Sequence, residues 1–283
     1  MNRLKQTSIK RFFIQIASIF CTNAYIKGFV EGKIFKGKSK ILCVPGLNCY
    51  SCPGALGSCP LGSLQAVFTN RKNHFSFYVL GTLILFGLFL GRVICGFLCL
   101  FGFIQDLLYK IPVPKIKLPK KIDNFLRFLK YAILLVMVIA LPLFYRDAFG
   151  SGIPFFCEFF CPAGTLEAGL PLILKNKILR AAIEGLFYWK FIILIIILLE
   201  SMFIYRPFCK YFCPLGAFYS LFNKVSILHI TIDKKKCTSC GMCAKVCKMN
   251  VSVTKNPNSA ECIRCASCIA SCPTNALKFS IKN

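Results

Sequence analysis

Apolar residues in this chain are gathered into long runs separated by short basic stretches, without the strict alternation of half-buried strands. Three runs, Phe75 to Ile94, Phe125 to Tyr145 and Gly185 to Tyr205, are long enough to cross a hydrocarbon layer about 30 Å thick. The first is interrupted only by Arg92. Arg127 and Lys130 stand at the entry of the second, where long basic side chains snorkel to the headgroups. The third holds Lys190, also read as snorkelling, and Glu200, read as paired with Arg206 or Lys210 near the interface. Phe12 to Val30 is a weaker fourth span, because Gln15, Asn23 and Lys27 suit the inside of a bundle better than lipid. Basic Met1 to Arg11 followed by apolar Phe12 to Phe20 has the layout of a signal peptide. No small-x-small site follows, so an uncleaved span is expected. Ile111 to Lys121 contains three prolines and cannot be a continuous helix; it reads as an extended basic strap on a membrane surface. The pattern predicts an α-helical integral membrane protein with about four transmembrane helices.

Composition agrees, with 56% hydrophobic residues. Thirty-six Lys and Arg against ten Asp and Glu give a formal charge of +26, which thiolates on bound metal would reduce. These charges sit between apolar runs and no recognition motif accompanies them, which argues against nucleic acid and for topology. The tail after Tyr205 and the proline-rich strap are lysine-rich, whereas Arg146 to Glu184 balances four basic residues with four acidic ones. Four spans with both termini in the cytoplasm fit this best, in a plasma-membrane protein bordered by lipid. Glu31 to His74 fits poorly, since it holds six Lys and Arg yet would lie outside.

Nineteen cysteines in a long, apolar chain point to metal or redox chemistry, not to a small disulfide scaffold. Cys237, Cys240, Cys243 and Cys247 follow the spacing C-x2-C-x2-C-x3-C, and Cys262, Cys265, Cys268 and Cys272 repeat it 25 residues later. That spacing holds [4Fe–4S] clusters, with the fourth cysteine of each run serving the other cluster. Cys237, Cys240 and Cys243 are therefore expected to share a cluster with Cys272, and Cys262, Cys265 and Cys268 with Cys247. Zinc sites more often join two close cysteines to a distant pair. Asp233 to Ile281 resembles a bacterial two-cluster ferredoxin, which implies an α+β domain over 227–283 behind a membrane domain over 1–226. Lys248 stands where that pattern usually has proline, while Pro273 keeps it in the second run.

A second repeat lies among the apolar runs. Cys59-Pro-Leu-Gly-Ser-Leu-Gln, Cys99-Leu-Phe-Gly-Phe-Ile-Gln, Cys161-Pro-Ala-Gly-Thr-Leu-Glu and Cys213-Pro-Leu-Gly-Ala-Phe-Tyr share one formula. Cys95, Cys157 and Cys209 precede three of them at C-x3-C; Cys43, Cys49 and Cys52 precede the other. A Cys-Pro step starts a helix, so each element reads as a re-entrant elbow, with its thiolate favoured by the helix dipole. Four matched elbows are explained poorly as buried structural thiols, although that reading suffices for Cys21. Two elbows supply four thiolates. Cys95 and Cys99 are expected to join Cys209 and Cys213 near the cytoplasmic face. Cys157 and Cys161 are expected to join two of Cys49, Cys52 and Cys59 near the other face. Up to two further iron–sulfur clusters would then accompany the two of the ferredoxin domain.

The stretch from Cys95 to Lys224 resembles the membrane polyferredoxin family of the NapH-like type, in which C-x3-C-P motifs precede a two-cluster ferredoxin domain. Cys209 to Tyr219 matches that mark closely, Cys157 to Pro162 matches it in short form, and Cys95 to Cys99 lacks the proline. The resemblance implies electron transfer between the membrane or its far side and the cytoplasm. The partner would be a flavoprotein, a quinone-linked system or another cytoplasmic donor or acceptor. His74 and His229 are the only histidines and lack clustered partners, so haem is not expected. No catalytic triad or phosphate loop appears, which favours a redox subunit over a self-sufficient enzyme. Two rivals use the same thiols differently: a copper reductase or assembly factor, since soft thiolates select Cu(I), and a dithiol redox sensor.

Overall fold

The computed structural model describes residues 2–69, 76–145 and 152–281. Four long helices frame it: α1 (Asn2–Thr22), α2 (Phe77–Leu90), α3 (Lys121–Phe144) and α4 (Gly185–Phe203). Two helices among the described residues, α3 and α4, are long and apolar enough to cross a membrane by length and composition. Their side chains are mostly turned outward: Phe125, Phe128, Leu135, Val136 and Phe144 on α3, and Tyr188, Trp189, Ile192, Ile196 and Leu199 on α4, are exposed.

The other two expected spans are corrected. Phe75 lies outside the described residues, and α2 covers only 14 residues, about 21 Å at 1.5 Å per residue. It stops at Gly91, whose φ of +53° breaks the helix before Arg92. Phe12 to Val30 is not one span either. α1 ends at Thr22, and a separate short helix, Ile26–Glu31, follows. Two polar residues of α1 face inward: Arg11 and Gln15 both donate to the carbonyl of Gly96 and to Asp106. Cys21, expected in a core, is exposed. The proline-rich strap is irregular up to Pro119 and lies along the end of α4, with Ile116 N–H on the Phe203 carbonyl.

The C-terminal part closes with strands β1 (Leu228–Ile232) and β2 (Leu277–Ile281), antiparallel with Leu228 opposite Ile281. Between them the sequence repeat is a backbone repeat. Ser239 and Arg264, Gly241 and Ala266, and Asn250 and Asn275 all have positive φ, each pair 25 residues apart. Such a backbone favours glycine or asparagine. Its recurrence at Ser, Arg and Ala means that the cysteine loops dictate the conformation. The lobe of Met249, Val251 and Ile263 is buried in the same core as the helices, whereas Ile230, Val253 and Leu277 form a smaller core of their own.

Charged side chains pin the two parts together. Glu261 lies between Arg92, at 3.0 Å, and Lys130, at 2.5 Å. Arg127 bonds Asp123 and the Met249 carbonyl, so Arg127 and Lys130 turn into the interface and do not snorkel. Lys190 likewise donates to the Cys157 carbonyl at 3.1 Å. Arg206 is engaged by Asp106 and Lys210 by Asp123, so neither pairs with Glu200. Lys248, the departure from the proline pattern, stands over the rings of Tyr109 and Tyr205 at 5.0 and 5.3 Å, a cation–π contact that ties the ferredoxin-like lobe to the helices.

Candidate metal centres

Two hollows in the C-terminal part sort its eight cysteines. One is lined by Cys237, Cys240, Cys243 and Cys272. The other is lined by Cys247, Cys262, Cys265 and Cys268, together with Arg11 and Tyr205 from the helical part. The fourth cysteine of each run thus lies with the first three of the other, because the short helices Met242–Val246 and Ser267–Ala270 pack on one another about the duplicated loops.

The elbow formula has a local cause. Cys99, Cys161 and Cys213 each cap the helix that follows, their sulfurs accepting the N–H of Gly102, Gly164 and Gly216 at 3.3 to 3.4 Å. A thiol takes the place of the usual Ser or Asp cap, and the positive helix end favours a thiolate there. Glycine is wanted because a β-carbon at Gly102 would stand 3.1 Å from the Cys95 carbonyl. In the last two elbows a π turn separates the cysteines, with Cys161 N–H on Phe156 O and Cys213 N–H on Phe208 O, both 2.8 Å. Such wide turns are frequent at functional sites.

The partnership of elbows is written twice in identical bonds. Gln65 donates to Cys157 Sγ at 3.3 Å and accepts the Phe156 N–H at 3.2 Å. Gln105 donates to Cys209 Sγ at 3.2 Å and accepts the Phe208 N–H at 3.2 Å. The first elbow therefore engages the third, and the second engages the fourth. Both glutamines are fully buried, six residues after the elbow cysteine. Glu167 and Tyr219 hold the same sixth position: Glu167 accepts the Cys49 N–H at 2.7 Å, and Tyr219 donates to the Pro45 carbonyl at 2.9 Å. The recurring polar residue was visible in the formula, but its cross-elbow role was not foreseen.

One elbow group surrounds a cavity of about 860 Å³, lined by Cys49, Cys59, Cys157 and Cys161 and continuing past Leu172 and Phe187 to Lys190. Cys52 does not line it; its thiol turns to Asn23 Oδ1 at 3.8 Å. Cys43 is held in a bridge to Ser58. The other group is Cys95, Cys99, Cys209 and Cys213, all buried.

The donor set suits iron–sulfur clusters. Thiols this buried ionise only when a metal takes the charge. The amide donors aimed at their sulfurs are the bonds that tune such clusters. Asn48 is buried with both side-chain polar atoms unpartnered, and Glu167 Oε1 is also unpartnered. Both adjoin the Cys49–Cys59 group, where the Asn48 Nδ2 amide could donate to bound sulfide. Among the described residues no three His, Cys, Asp or Glu converge on a point for one metal ion. Sulfurs around a single zinc stand under about 4 Å apart, since each Zn–S bond is about 2.3 Å. Ligands of a four-iron cluster each hold a different iron and stand wider. His229 is bonded to the Ile227 carbonyl through Nδ1, and His74 lies outside the described residues.

Successive groups touch. The loop between Cys43 and Cys49 lies on the second elbow, where a β-carbon on Gly46 would come within 3.1 Å of Cys99 Cα. Gly96, between Cys95 and Cys99, lies so close to the Ile263 carbonyl that a β-carbon would collide with it. Arg92 spans the same junction, donating to the carbonyls of Cys209 at 3.0 Å and Ala260 at 2.8 Å.

Two family models, each described as a 4Fe-4S binding domain, match residues 73–119, 131–180 and 186–234, and residues 230–251. An uncharacterised protein of Methanocaldococcus jannaschii is 33% identical over 199 residues, 68% of this chain and 74% of that one. A putative electron transport protein of Escherichia coli, YccM, is 34% identical over 90 residues, 31% of this chain and 25% of its own. The ferredoxin-type protein NapH of Haemophilus influenzae is 30% identical over 115 residues, 36% of this chain and 40% of its own. The chain thus spans well under half of the last two relatives. No solved structure matches. The chain belongs to the family of ferredoxin-type iron–sulfur electron-transfer proteins.

Proposed function

We propose that this protein is a linear four-site relay, bound in the plasma membrane through its apolar helices, with the ferredoxin-like part (227–283) in the cytoplasm and the helical part (1–226) in the bilayer. A [4Fe–4S] cluster, when bound, takes up and gives back one electron at a time. The sites follow in order: Cys49, Cys59, Cys157 and Cys161; Cys95, Cys99, Cys209 and Cys213; Cys247, Cys262, Cys265 and Cys268; Cys237, Cys240, Cys243 and Cys272. The observation that carries the reading is the contact between neighbouring groups, above all Gly96 against Ile263. The residues around the two elbow groups hold the sulfurs, and Gln65 and Gln105 supply amide donors to them. The outward apolar side chains of α3 and α4 support residence in lipid. Sealed liposomes carrying the protein and enclosing ferricyanide test the relay. Dithionite added outside should bleach the enclosed dye only when loaded protein is present. Equal bleaching by protein stripped of iron would defeat the proposal.

A further inference from the structure

The last site in this series opens on a basic surface. None of the residues lining it precedes Ile232, so the helical part does not wall it, although Arg3 of α1 reaches Asn275 at its edge. Cys240 is exposed, and Met242 beside it is 47% exposed. Lys234, Lys235 and Lys236 lead into Cys237, Lys245 lies on the helix Met242–Val246, and Lys255 follows Thr254, which lines the site. All five lysines are exposed. Acidic residues hardly offset them. Asp233 makes one long, exposed contact of 3.9 Å with Lys236, a pair worth little in water. Glu261, the other acid from 227 to 283, is buried and engaged by Arg92 and Lys130. Lys234, Lys235, Lys245 and Lys255 have no ion-pair partner among the described residues.

Topology accounts for only part of this charge. Lysines that orient a membrane protein lie within about 15–20 residues of a span, whereas Lys255 stands about fifty residues beyond Phe203 and about thirty beyond the helical part. An apolar centre within a charged rim is the build of a protein docking site. A positive rim steers a negative partner, raising the rate of encounter more than the depth of binding.

We propose that this surface docks a small acidic one-electron carrier protein, with Met242 and Cys240 at the centre of the contact and Lys235, Lys245 and Lys255 on its rim. One electron passes between carrier and site; one is oxidised as the other is reduced, and no bond is made or broken. The proposal rests on the relay reading for its purpose, but docking is measurable without electron flow. The full chain, loaded with iron and held in nanodiscs of neutral lipid, is mixed with an oxidised acidic flavodoxin as probe, and association is followed by stopped-flow or surface resonance. The association rate should fall about tenfold or more between about 20 and 200 mM salt. The triple variant K235E/K245E/K255E should lose about tenfold at low salt with unchanged iron content, while K36E/K38E/K177E, elsewhere on the chain, should behave as wild type. Equal rates for the two triple variants, or no binding of flavodoxin by the wild type, would overturn the proposal. So would recruitment of the nanodiscs to phosphatidylglycerol vesicles in place of flavodoxin, since that assigns the lysines to lipid. If the liposome relay fails while lysine-dependent binding persists, the docking surface stands and the relay falls.

Discussion

Glu261 lies 3.0 Å from Arg92, two otherwise distant residues joined across the junction of the helical and ferredoxin-like parts. Arg92 is fully buried, and Lys130, also fully buried, shares the carboxylate. Removing one partner of a buried set leaves uncompensated charge and costs about 3–5 kcal/mol. Glu261→Ala should therefore lower the midpoint of chemical unfolding sharply, and Glu261→Gln should do so less. Unchanged midpoints for both variants would show that the latch does not hold the parts together.

Gly96 allows the Cys95–Cys99 elbow to approach Ile263, which lies between Cys262 and Cys265. Gly96→Ala should push the two sites apart without removing a ligand. Iron content should stay at the wild-type level, while magnetic coupling between neighbouring centres weakens in the reduced protein's EPR spectrum. Loss of iron in Gly96→Ala would instead make this glycine part of a site's own support.

The paired glutamines offer a matched test. Each donates one N–H to one sulfur, and such a bond favours the more negative, reduced state. Gln105→Leu should lower the potential of the centre at Cys209, and Gln65→Leu that of the centre at Cys157. Each shift should be about 40 mV if one hydrogen bond contributes ~1 kcal/mol. Neither change should move the two ferredoxin-type signals. A potentiometric titration followed by EPR reads all of these together.

Cys272→Ser should damage the centre of Cys237, Cys240 and Cys243, and Cys247→Ser that of Cys262, Cys265 and Cys268, as the two hollows are lined. EPR of each variant checks it. The reverse outcome, Cys247→Ser removing the Cys237 signal first, would undo the crossed assignment.

The sorting of the eight C-terminal cysteines into two hollows was legible because one spacing is written twice, 25 residues apart. Elbows were legible for a similar reason: Cys followed by Pro and a glycine three residues on defines a helix start by itself. What remained hidden depended on distant partners. Lys130 reads as a snorkelling residue until Glu261, far along the chain, is seen beside it. The hydropathy of Phe75 to Ile94 conceals that Gly91 breaks the helix, since glycine scarcely alters an apolar average. That Cys49 and Cys59 line the cavity and Cys52 does not depends on the course of an irregular loop, which no periodicity encodes.

Iron and acid-labile sulfide, counted per chain on anaerobically purified full-length protein, test the central claim most directly. Four clusters require about sixteen of each. The paired variant C95S/C209S should bring the count to about twelve, and C157S/C49S should do the same from the other side. A wild-type count near eight, unchanged by either pair, would mean that the elbows carry no clusters and that the four-site relay is wrong.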